Sequence, residues 1–193
     1  MTRRYLLKMI TNSSANMTNL FIDNYRFLAC YNRWINQRLY VACDRLTYAQ
    51  RNADQGAFFK SVHRTLTHLV LADKMWLARF AGQGVEFAAL KPELLSSPEA
   101  SDYTSDLYPG WTDLQLIRDA LDVAIEQWMA DMQPEFLTNT MIYANTKGVH
   151  RAHPAWQALT HFFNYQNHHR GQVTTLLTQA GVDVGVTDLI ALV

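Results

Sequence analysis

The chain has 193 residues, 49% hydrophobic and 12% aromatic, which is ample apolar material for the core of one domain and too much for a disordered chain. Lys and Arg total 17, as do Asp and Glu, so the formal net charge is zero. With no basic stripe either, affinity built on phosphate contacts is not expected, and nucleic acid is excluded as the main partner.

No run of about 18 apolar residues exists, so no membrane span is expected. At the start, Tyr5–Ile10 is a short apolar run broken by Lys8, too short and too polar for a signal peptide. Residues 1–19 therefore read as a flexible leader, with Met17 a second candidate start, and residues 20–193 as the domain.

The first long helix is expected from about Leu20 to Leu46, because Phe21, Tyr25, Leu28, Tyr31, Ile35, Leu39 and Cys43 recur at three- and four-residue steps. Cys30 and Cys43 fall on it roughly 20 Å apart by helical rise, too far to bridge. They read as buried thiols in a reducing cytoplasm. Thr47–Gln55 is polar and loop-like. A second helix is expected over about Gly56–Ala81, ended by Gly82-Gln83-Gly84.

Residues 85–110, with Pro92, Pro98 and Pro109, form a long connection that suits a crossover. The third helix is expected over about Thr112–Met132, with Thr112 and Gln115 as a capping box and Pro134 as the stop. Residues 138–143 are β-prone and Asn145-Thr146-Lys147-Gly148 is turn-like, which predicts a small hairpin. The fourth helix runs from Pro154 to Ala180, and a short helix near Thr187–Leu192 closes the chain. The fold class is therefore all-α, an up-and-down four-helix bundle with a long crossover and a hairpin before the last long helix.

Seven histidines are present, and their positions are informative. At about 100° per residue, His169 falls on the inward face defined by Phe162, Val173, Leu176 and Ala180. His161 lies at the edge of that face, Tyr165 and Gln172 on its flank, and His168 points further off. On the second helix, His68 borders the apolar face among Ser61, Thr65 and Ala72. Asp73 lies near the middle of that face, where a carboxylate needs a partner: an arginine, a Trp N–H or a His N–H. Bundles build metal sites from facing helices, and imidazole suits zinc, nickel, iron or copper.

His161-Phe-Phe-Asn-Tyr-Gln-Asn-His-His-Arg-Gly-Gln172, Tyr31-Asn-Arg-Trp34, and Thr67-His68 through Leu77 together resemble the signatures of the DinB/YfiT-like family of metalloenzymes. The three stretches occur in the family's order and span the chain from about residue 20 onward. The resemblance implies a bundle, often a homodimer, with a divalent metal (zinc or nickel foremost) held by three histidines. Carried over residue by residue, it assigns His68 and His169 as ligands. The middle ligand position falls on Tyr165, where the family has histidine. Tyr165 is then a phenolate ligand or a catalytic proton donor, with His161 or His168 as substitute ligands and Asp73 orienting a ligand ring.

The resemblance further implies a small-molecule substrate, with a low-molecular-weight thiol as a candidate, in transferase or hydrolase chemistry. The alternative is a non-catalytic stress-response bundle that has lost its metal through Tyr165, with a cleft lined by Trp34, Trp76, Tyr165 and Phe162. Binding to DNA rests only on the family's DNA-damage label, and zero net charge argues against it.

Overall fold

The computed structural model describes residues 3–96 and 108–193, with side chains from Asn19 onward. The middle of the long connection, Pro98 included, lies outside the described residues. Six α-helices are described: α1 (Arg3–Cys43), α2 (Tyr48–Asn52), α3 (Val62–Ala81), α4 (Pro92–Leu95), α5 (Trp111–Asp131) and α6 (Ala155–Gln179). A two-stranded hairpin, β1 (Thr140–Ala144) and β2 (His150–Pro154), precedes α6, and 3-10 turns span Pro134–Thr138 and Leu189–Leu192. None of the described helices is long and apolar enough to cross a membrane.

The four long helices form the bundle. Both α1 and α3 pack against α5 and α6, so the order around the square is α1–α5–α3–α6. Cross-helix pairs fix the directions. Asn36 meets Asp122 while Arg26 reaches the backbone of Met129 and Ala130, so α1 and α5 are antiparallel. Asp73 meets Arg118 and Phe80 meets Trp128, so α3 and α5 are parallel. The long connection is thus the expected crossover, and the directions read up, down, down, up.

Local boundaries shift for identifiable reasons. The first helix runs back from the expected start at Leu20 to Arg3. Cys30 on it is exposed rather than buried, whereas Cys43 is in the core. The stretch read as a loop after α1 holds α2, because Thr47 and Gln50 form a reciprocal capping box. Thr47→Ala is expected to cost about 1 kcal/mol, read as a small drop in Tm.

The capping box expected at Thr112 and Gln115 is absent. Gly110 is the N-cap of α5, and a Cβ there would meet Asp113 Oδ2 at 2.5 Å. Gln115 instead donates to Asp44, as does the Trp111 indole. The hairpin forms where expected. Asn145 Oδ1 accepts from the backbone N–H of Lys147 and Val149, and Gly148 takes the left-handed φ of 75° that the turn requires.

One end of the core is aromatic: Trp128 and Phe162 pack on Phe80 with centroids 4.8 and 6.1 Å away. The middle layer is polar and buried. On α6, Gln166, His169 and Arg170 continue the stripe set by Ala158, Leu159, Phe162 and Val173, so periodicity turns them inward. Arg118 holds Asp73 at 2.5 Å and Asp122 at 2.9 Å. Asn32 and Asn36 of α1 donate to Asp122, and Arg170 donates to both asparagines. Gln166 donates to the second oxygen of Asp73.

All four long helices therefore contribute to one network with two carboxylates and two guanidiniums. Burial pulls Arg170 down to about 10, which leaves it protonated at neutral pH. Burial also opposes the charge on Arg118, but Asp122 and Asp73 more than offset it and raise its pKa.

Candidate metal centre

One helical turn from this network, α3 and α6 bring His68, Tyr165 and His169 together. The ring centroid of His169 lies 4.8 Å from that of His68 and 4.4 Å from that of Tyr165. His68 and His169 are buried, and Tyr165 is half-buried. The Tyr165 hydroxyl and His68 Nε2 share a 2.6 Å hydrogen bond. Gln172, one turn further along α6, accepts from His169 Nδ1–H at 2.8 Å. That bond places the imidazole proton on Nδ1 and leaves Nε2 as a lone pair. His169 Nε2 is buried and has no hydrogen-bond partner among the described residues.

Phe59 covers the pair. Its ring stacks on His68 at 3.9 Å and meets His169 edge-on at 5.5 Å. It is held there by a tight loop between α2 and α3, in which Gln55 N–H donates to the Lys60 carbonyl and Lys60 N–H to that of Ala57. Gly56 and Lys60 both take left-handed φ in this loop, 72° and 71°. Nothing in the sequence signals it, since Lys is not a residue that marks a left-handed turn.

The remaining expected residues flank this cluster. His161 packs between Trp76 and Tyr165, at 4.9 and 5.6 Å, and makes no ring contact with His169 among the described residues. His168 is exposed and accepts from Gln172 Nε2, on the Nδ1 side of His169. Asp73 finds an arginine, one of its expected partners, and is joined to α6 through Gln166, the residue after Tyr165. Two residues expected in the cleft lie elsewhere. Trp34 packs at a tilt on Tyr31 and lies under Arg38, and Phe162 is part of the aromatic core.

The donor set fits a divalent metal at two positions and less well at the third. Burial lowers the His169 pKa, with a smaller opposite pull from Gln172, and so favours the neutral imidazole a metal binds. Ring orientation by a hydrogen bond at the far nitrogen is the usual support of a ligand histidine. Tyr165 is held against the phenolate, because burial and then the Asp73 charge raise its pKa. The 2.6 Å spacing of His68 Nε2 and Tyr165 Oη is also shorter than the roughly 3.3 Å expected between two ligands of one tetrahedral metal. Among the described residues, no group of three or more His, Cys, Asp or Glu is placed to hold a metal, so a complete centre requires Tyr165 or solvent.

The DinB family model matches residues 17–192, nearly the whole chain and every residue of this cluster. The chain belongs to the DinB family. A relative of this DinB chain, the protein DinB of Bacillus subtilis strain 168, is 25% identical over 161 residues, covering 82% of this chain and 87% of the relative. No solved structure matches. Two of the stretches carrying the family resemblance, on α1 and α6, meet inside the bundle, where Arg170 donates to Asn32. These motif residues thus fix the spacing of α1 and α6 rather than touching the histidines.

Proposed function

We propose that this DinB-family chain binds a divalent metal, zinc or nickel, through His68 and His169. In this reading it acts in the cytoplasm, as a homodimer, as a metal-dependent transferase or hydrolase of a small molecule, with a low-molecular-weight thiol as co-substrate. The observation that carries the proposal is the buried, partnerless Nε2 of His169, oriented by Gln172. A lone pair in that position is costly unless a ligand takes it.

A metal there would supply Lewis acidity, lowering the pKa of a bound thiol or water. Within the chain, Phe59 keeps bulk water from the two imidazoles, and Gln172 fixes the His169 tautomer. Tyr165, held protonated by burial, keeps a proton in reach beside His68, to be donated to a departing group or shed if the phenol itself becomes a ligand.

Titration of chelator-treated protein with Zn²⁺ or Ni²⁺ tests the metal reading. One equivalent per chain is expected, with a rise in Tm by mass action, and both effects should disappear in His169→Ala. Gln172→Ala is expected to weaken binding about 10- to 100-fold, because the ring loses its orienting partner. Wild-type protein that binds no more metal than His169→Ala would overturn the proposal.

The direct His68–Tyr165 hydrogen bond favours a second reading, a non-catalytic stress-response bundle in which the phenol occupies the metal's place. In that case EDTA leaves Tm unchanged.

A further inference from the structure

A cleft of about 450 Å³ opens between the hairpin, α3 and α6, lined by Arg79, Arg151, His153 and His161 with Trp76 and Tyr143. The hairpin register builds one wall. Met141 pairs with His153 and Tyr143 with Arg151, and residues two apart on a strand share a face. Met141 is buried on the bundle, so Tyr143, His153 and Arg151 face the same way. Arg79, from the last turn of α3, lies over the Trp76 and Tyr143 rings at 4.7 and 4.8 Å.

No carboxylate lines the cleft among the described residues. Nor does the Arg151 guanidinium make a hydrogen bond or ion pair among them. His153 donates from Nδ1 to the Pro154 carbonyl and shares a hydrogen bond with the Tyr143 hydroxyl. Arg79 and Arg151 are the arginines of its lining. Arg79 is engaged with the Trp76 and Tyr143 rings and with the Ala144 carbonyl, so the guanidinium left to meet a ligand is that of Arg151, and one such group on an aromatic-walled cavity of this size matches a small organic oxyanion with an apolar part.

We propose that this cleft binds a small carboxylate- or phosphate-bearing molecule, with Arg151 on the oxyanion and its apolar portion against the aromatic wall. His161 is a ring neighbour of both Trp76 and Tyr165, so the cleft and the His68/His169 cluster share a wall. The cleft's role as the substrate's anchor rests on the metal-enzyme reading; the binding itself does not.

Calorimetric titration of the full chain, stripped of metal with a chelator and then desalted, with benzoate, phenyl phosphate and benzyl alcohol tests this. The anions are expected to bind at least about tenfold more tightly than the neutral alcohol, and the tighter anion identifies the oxyanion. Arg151→Gln is expected to weaken anion binding about tenfold or more, whereas Lys147→Gln, the same charge change at the hairpin turn, leaves it unaltered. The proposal fails if benzyl alcohol binds as well as benzoate. It also fails if Arg151→Gln matches wild type, or if Lys147→Gln weakens binding equally. Anion binding that appears only with added Zn²⁺ and survives Arg151→Gln would place the anion on the metal and overturn it. A chain that binds benzoate but no metal sinks the metal reading alone.

Discussion

Replacing Arg118 by Met is expected to lower the free energy of unfolding by about 3–5 kcal/mol, read as a fall in urea midpoint at constant m-value. Arg118 lies between Asp73 at 2.5 Å and Asp122 at 2.9 Å, and all three side chains are almost fully buried. Removing it leaves two carboxylates in the core with amide donors but no cation between them. Burial, the largest cause, with a smaller push from Asp73, already holds Asp122 at about 6 despite the pull of Arg118.

Loss of Arg118 should also reach the candidate centre, because Asp73 is joined through Gln166 to the turn of α6 that carries Tyr165 and His169. A combined Asp73→Leu, Arg118→Met, Asp122→Leu variant is expected to recover much of the lost stability, since apolar replacement of a whole buried ion cluster is often neutral or better. A single variant within about 1 kcal/mol of wild type would show that the network contributes little.

How much of this was legible in the sequence follows from the physics of each signal. Helical periodicity located the four long helices, and it selected His169 over His168 because a helix face is a one-dimensional property. The same periodicity carries Gln166 and Arg170 inward, yet a polar residue on an apolar stripe does not name its partner. That Asp73 needed a partner could be read from the cost of burying a carboxylate. That the partner is Arg118 could not, because it depends on α3 and α5 running parallel after the crossover. The sequence does not mark Phe59, because a left-handed Lys60 turns it onto His68, and Lys carries no signal for that conformation. The box at Thr112 failed where the one at Thr47 formed, since the same residue pattern caps only if the helix starts there and Gln115 has no stronger acceptor in Asp44. The motif points Trp34 towards the cleft, whereas its face of α1 turns to Tyr31 and Arg38.

Replacing Tyr165 by His is expected to tighten zinc or nickel binding about 100-fold or more, measured by competition with a chelator of known affinity. The reason lies in the proton. A phenol with a reference pKa near 10 must lose its proton to become a ligand at pH 7, at a cost of about 4 kcal/mol before any metal bond forms. Burial and Asp73 push Tyr165 further the same way. Imidazole at that position needs no deprotonation and would also release His68 Nε2 from its bond to the hydroxyl. Tyr165→Phe separates the two roles of the tyrosine. If the phenolate is a ligand, the Phe variant loses metal relative to wild type. If the hydroxyl only caps His68, the Phe variant frees that nitrogen and binds at least as well. A histidine variant that takes up no more metal than wild type would mean that the cluster cannot open around an ion. The tight covering by Phe59, at 3.9 Å from His68, would then be the cause, and Phe59→Leu in the histidine background should restore uptake.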